Sequence, residues 1–124
     1  MTATTYLLML WGDPAECTDL EAAYALHREF DQQCAANGHE ILGGEELQPS
    51  STSRLVRMGS AGPEVTDGPY AETVEQLGGY YVVRTADREG LLRLAAPLVT
   101  PGPVGGGVIE LRPIVDHGAG QAVA

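Results

Sequence analysis

The sequence predicts an α+β fold of the order β-α-β-β-α-β, the ferredoxin-like arrangement in which two helices cover one face of an antiparallel sheet. Three observations carry this expectation. Short runs at Tyr6–Trp11, Ile41–Leu47, Tyr80–Arg84 and Val108–Arg112 have the length and the β-branched, aromatic or alternating content of strands. Two segments with helix-start signals, from Thr18 and from Asp87, lie between them. A chain of 124 residues has room for one domain and its core but not for two, so a domain over 1–116 and a frayed tail over 117–124 are expected.

The first strand is the continuous apolar run from Tyr6 to Trp11, stopped by Gly12-Asp13-Pro14. Thr18-Asp19-Leu20-Glu21 has the form of a capping box, with the Thr18 hydroxyl placed to accept from the Glu21 N–H, so the first helix is expected to start there. Leu20, Ala23, Tyr24, His27, Phe30 and Cys34 recur at helical spacing and form its apolar stripe, and Asn37-Gly38 supplies the stop. Gly43-Gly44 interrupts the next strand and marks a bulge or a close backbone approach.

Arg54–Met58 alternates, Gly59 to Pro63 turns, and Glu64–Thr66 is a short extended piece, which together read as a hairpin. Asp67-Gly68-Pro69 is a turn, Ala71–Gln76 is read as one polar helical turn, and Gly78-Gly79 punctuates before Tyr80-Tyr81-Val82-Val83. Asp87 is the N-cap candidate for a second helix running to about Leu98, with Pro97 ending or distorting its last turn. Pro101–Gly107 is expected to be a flexible connection. In the last strand Ile109 and Leu111 share the face suited to helix packing, while Val108, Glu110 and Arg112 share the other. Helices on one side leave the opposite sheet face bare, so association with a second copy, a homodimer, is expected.

Charge narrows the partners. Seven cationic residues, all arginine, against seventeen acidic ones give a net charge of −10, which repels nucleic-acid backbones and anionic membranes. Without lysine there is no Schiff-base or phosphate-loop lysine chemistry. Cys17 and Cys34 stand apart and read as free thiols, and three histidines without paired spacing make no metal ligand set, so neither metal nor cofactor is expected. No apolar run has the length of a membrane span and no secretory pattern opens the sequence, so a cytoplasmic location is expected.

Asp67-Gly68-Pro69-Tyr70-Ala71-Glu72-Thr73, followed by Glu75-Gln76-Leu77-Gly78-Gly79-Tyr80-Tyr81, resembles the signature of the YCII-related family in its DGPF-type branch. Tyr70 stands where that signature has Phe and Val74 where it has Lys, and the likeness extends to Gly43–Pro49 and Glu110–Pro113, covering roughly residues 5 to 115. The resemblance implies a dimeric α+β barrel in which two sheets face each other. It also implies a functional histidine eleven residues before a glycine, the spacing of His27 to Gly38, and a regulatory role beside an extracytoplasmic-function sigma factor.

Candidate chemistry centres on His27, whose imidazole falls within the apolar stripe of the first helix. It reads either as a general acid or base or as a core histidine bonded to backbone or to a tyrosine. Asp67 is the candidate carboxylate partner, its alternative being an Asx-turn. Tyr70, Glu72, Tyr80, Tyr81, Glu110 and Arg112 are candidate ligand-binding residues, with Tyr80 and Tyr81 pointing to opposite faces of their strand. His39 and His117 read as solvated. Three readings remain open on these residues: a dimer binding a small polar molecule in a barrel pocket, a cofactor-independent lyase or isomerase using His27, or a structural dimer with no ligand, its barrel interior filled by side chains.

Overall fold

The computed structural model of the chain describes residues 2–118. Six strands and two helices follow one another as β1 (Thr4–Gly12), α1 (Leu20–Ala36), β2 (Glu40–Glu46), β3 (Arg54–Gly59), β4 (Gly62–Asp67), β5 (Gln76–Thr85), α2 (Arg88–Ala95) and β6 (Val108–Pro113). The main sheet has the order β2-β5-β1-β6 with every neighbouring pair antiparallel. With the β3–β4 hairpin set aside, this is the ferredoxin-like topology, each helix carrying the chain across a strand that lies between its two ends. The hairpin forms a separate two-stranded sheet, anchored at its base by the Gly68 N–H donating to the Ser53 carbonyl at 2.8 Å.

Register assigns the faces. Tyr6, Leu8 and Leu10 of β1 lie opposite Val83, Tyr81 and Gly79 of β5, and opposite Pro113, Leu111 and Ile109 of β6. Leu8 and Val83 are fully buried from this side against Phe30 and Cys34 of α1 and Leu91 and Ala95 of α2, which makes this the helix-covered face. The opposite face carries Leu7, Met9, Tyr80, Val82, Glu110 and Arg112, so Ile109 and Leu111 divide from Glu110 and Arg112 as the alternation requires.

Several local expectations give way to specific partners. The cap of α1 is Asp19, one residue later than expected: its carboxylate accepts from the Ala22 N–H at 3.0 Å, while the Thr18 and Asp19 N–H groups donate to the Pro103 carbonyl. Those two bonds pin the 101–107 connection against the start of α1, and the Gly106 N–H to the Thr100 carbonyl, 3.0 Å, closes the connection on itself, in place of the flexible linker its composition implies. Residues 71–75 form bends rather than a helical turn, and β5 begins at Gln76, taking in Gly78 and Gly79 as sheet residues. α2 ends at Ala95 and tightens into a 3-10 turn over Ala96–Val99, where Pro97 lacks the N–H a further α turn would use.

His39 is buried rather than solvated, because the chain leaving Gly38 folds its ring under the sheet edge within 2.7 Å of the Thr85 hydroxyl. Cys34 is buried and Cys17 half-buried, both free. The expected tail lies outside the described residues from 119 onward. Among the described residues no helix is long and apolar enough to cross a membrane.

The reassigned cap is testable by denaturant unfolding. Asp19→Ala is expected to cost about 1 kcal/mol, the usual loss for a capping carboxylate, and Thr18→Ala to change stability by only a few tenths.

Candidate functional site

The apolar stripe of α1 is longer than the surface it rests on. Phe30 and Cys34 are buried in the core, whereas Leu20 and Tyr24, nearer the helix start, remain exposed. The sheet explains the difference. Across the helix-covered face the row Ile109, Leu10, Gly79, Glu46 has no side chain at its third position, and the next row, Leu111, Leu8, Tyr81, Gly44, has none at its fourth. The first half of α1 therefore overhangs a gap, a cavity of about 520 Å³ that Val99, Val104 and Gly105 also line.

Two polar pairs join helix to sheet across this gap. Deeper in, His27 Nδ1 lies 2.7 Å from the Tyr81 hydroxyl, and the Tyr81 ring rests against Phe30 with centroids 5.1 Å apart. Toward the helix start, the Tyr24 hydroxyl donates to the Glu46 carboxylate at 2.9 and 3.1 Å. Gly44 makes the first pair possible: a Cβ there would stand 2.6 Å from the Tyr80 carbonyl and 2.9 Å from the Tyr81 ring, and would push Tyr81 away from His27.

Burial sets the charge states. Desolvation lowers the His27 pKa below its ordinary value, the Glu46 carboxylate opposing the shift, so the imidazole is held neutral. Burial, with the nearby Asp31 charge, pushes the Tyr81 phenol up to about 12, which keeps its proton. The Tyr24 phenol is also raised, first by its hydrogen bond to Glu46. Among the described residues no buried side-chain nitrogen or oxygen lacks a partner, and His27 Nε2 has no protein partner, so Nε2 keeps its access to the cavity that His27 lines. Two tautomers are then available. Tyr81 donates to Nδ1 and Nε2–H faces the cavity as a donor, or Nδ1–H donates to the Tyr81 oxygen and Nε2 faces the cavity as an acceptor.

Of the residues singled out from sequence, His27 and Tyr81 meet here, while the neighbouring Tyr80 turns its side chain to the opposite face of the sheet. The remaining ones lie elsewhere. Asp67 is not the partner of His27: it sits at the end of β4 opposite Arg54, whose Nε is 3.3 Å from its carboxylate, because hairpin register turns it away from α1. Tyr70 is 79% exposed with the Arg57 guanidinium 5.5 Å from its ring centroid, and Glu72 is exposed in the bend that follows. Glu110 and Arg112 pair with each other on the far face of the sheet, where Glu110 also accepts from Trp11 Nε1–H at 3.2 Å. Tyr24 and Glu46 are candidate functional residues that no motif marks. The signals were Tyr24 in the helix stripe beside His27 and the Gly44-Glu45-Glu46 run that leaves a strand beneath it.

Comparison with known proteins gives the lineage. The model of the YCII-related domain matches residues 4–117, nearly the whole described chain. The chain belongs to the YCII-related family. An uncharacterized protein of Rhizobium meliloti (strain 1021) is 33% identical over 75 residues, a match covering 60% of this chain and 60% of that relative's length. Membership of the family assigns no function to the cavity, which is a matter of the side chains that line it.

Two measurements follow from the pair at the cavity floor. A lowered folded-state pKa means that, as pH falls through about 6.5, the unfolded chain takes up the His27 proton before the folded chain does. Stability is thus highest with the ring neutral and falls from that pH toward the lowered folded value; His27→Gln is expected to remove this segment of the stability–pH curve measured by thermal unfolding. Gly44→Ala is expected to cost about 1–3 kcal/mol, the usual penalty for forcing atoms into a packed site, and to weaken the Tyr81 contact with His27 seen by NMR.

Proposed function

We propose that this YCII-related chain binds a small molecule in the cavity beneath the first half of α1, with His27 and Tyr81 as its polar floor. The observation that carries the reading is the 2.7 Å contact fixing Nδ1 of His27, a residue that lines a space of about 520 Å³ and whose Nε2 is not buried. That volume lies within the range of small-molecule pockets, and the walls combine apolar side chains with a few oriented polar groups, as such pockets do. The ligand contributes one hydrogen-bonding group for Nε2 and an apolar body for Leu10, Leu98 and Val99.

A second copy is part of the same proposal. The face opposite the helices presents the half-buried Leu7, Trp11, Tyr80 and Val82 around Met9, which is already buried, and a second sheet laid on it removes their remaining surface from water as in a dimeric α+β barrel. Sedimentation velocity tests this half separately, a dimer at micromolar concentration being the expected result and a monomer the contrary one.

One observation favours proton transfer as the use of the bound state. A neutral imidazole, oriented through Nδ1 by a phenol that stays protonated, has the arrangement of a general base whose Nε2 takes a proton and returns it. This corresponds to a cofactor-independent isomerase or lyase.

Binding is tested with a fragment library read by the shift of the melting temperature. Hits are expected on the wild-type chain and are expected to disappear in Val104→Trp, which places a bulky ring in the cavity wall. Hits that persist unchanged in that variant would place binding elsewhere. For catalysis, enolisable ketones and lactones incubated in heavy water are expected to exchange their acidic carbon-bound protons with the wild type and not with His27→Ala; equal exchange by both would remove His27 from that role.

A further inference from the structure

The charges around the cavity are of one sign. Asp13 and Glu46 border it, and among the described residues no arginine does. His27, the other group there able to carry positive charge, is held neutral by its burial. An anionic ligand would enter this space with no counter-charge to meet it, against the field of a chain whose net charge is −10. A cation would be drawn in by the same field.

The side chains also supply what a cation uses once it has lost water. Tyr24 and Tyr81 present their rings to the cavity from helix and sheet, and aromatic faces attract ammonium groups. Glu46 is placed for direct contact. It lies on the helix-covered face beside the gap at Gly79, and the Tyr24 hydroxyl holds it through one proton shared between both carboxylate oxygens, at 2.9 and 3.1 Å. A carboxylate has about four lone-pair positions, so that single donor leaves acceptor capacity for the N–H groups of a ligand. Nε2 of His27 becomes a further acceptor when Nδ1–H donates to Tyr81. The same carboxylates do not chelate a metal ion: among the described residues no three His, Cys, Asp or Glu side chains are grouped to hold one.

We infer that the cavity selects small organic cations, an ammonium group on an apolar or aromatic body, with Glu46 as the specificity-determining anion, and rejects carboxylates of the same shape. This rests on the cavity being the ligand site and goes further by fixing the ligand's charge. Discrimination comes from Glu46 and the aromatic walls, and Tyr24 acts as the positioning residue that keeps the carboxylate turned to the cavity.

Three near-isosteric probes test the inference on the full chain: phenethylammonium, 2-phenylethanol and phenylacetate, each titrated while chemical shifts of His27 and Tyr81 are followed by NMR. The ammonium is expected to bind at least about tenfold more tightly than the alcohol, in keeping with the strength of charge-assisted hydrogen bonds, and phenylacetate most weakly. In Glu46→Gln the ammonium is expected to lose about that tenfold advantage while the alcohol is unchanged, because the amide retains an oxygen for Tyr24 but not the charge. Tyr24→Phe is expected to give a smaller loss of the same sign. Phenylacetate binding as tightly as the ammonium, or an ammonium preference that survives in Glu46→Gln, overturns the inference and leaves the cavity as the ligand site. Failure of all three probes to perturb His27 and Tyr81 overturns both.

Discussion

The contact between Tyr81 and His27 is the constraint to which the rest of the site is fitted. It ties the centre of the sheet to the middle of α1 beside the apolar core, giving each of two half-buried polar side chains a partner. For the phenol to stand on the helix-covered side, β5 must pair with β1 in the register that sets Tyr81 opposite Leu8. For it to reach His27, β2 must present Gly44 beside it and no larger residue. From that crossing toward its C-terminus, α1 is packed through Phe30 and Cys34; toward its N-terminus it rises over bare glycine backbone. The cavity follows from a helix whose apolar stripe outruns the side chains beneath it.

The same arrangement divides the electrostatics. Buried groups are kept uncharged: His27 by desolvation, Tyr81 because ionising a buried phenol near Asp31 is costly, and Cys34 for the same reasons, its thiol pushed up to about 11. Ionised groups stay at the rim, with Glu46 held by Tyr24. A neutral floor and an anionic rim give the cavity a direction, so that the polar end of a ligand meets charge near the opening and its hydrogen-bonding atom meets a neutral imidazole inside.

Much of the fold is legible in the residues. The alternation of Val108–Arg112 assigns its two faces, the apolar run Tyr6–Trp11 becomes a central strand, and the spacing of Leu20 to Cys34 defines the helix stripe in which His27 falls. These are local patterns with fixed periods, which is why they survive folding unchanged. What escaped was set by pairing between distant segments. Gly78 and Gly79 have the composition of a break but serve as a strand, because Glu46 and Leu10 flank Gly79 on both sides with hydrogen-bonding backbone. His39 looks like a polar residue after a helix end, yet Thr85, forty-six residues away, gives it a buried partner. Asp67 belongs to the most distinctive motif of the sequence and ends up on the hairpin with Arg54. A motif marks residues that matter to the family without saying that they meet in space.

The most direct measurement of this account is a ¹⁵N NMR titration of the His27 ring in the wild-type chain and in Tyr81→Phe. The account predicts a wild-type ring that titrates below the ordinary histidine value near 6.5, whose Nδ1 shift reports a hydrogen bond that is lost when the phenol is removed. A His27 that titrates at or above that value with identical ring-nitrogen shifts in both proteins would contradict it, since the imidazole would then be in water rather than on the floor of a cavity.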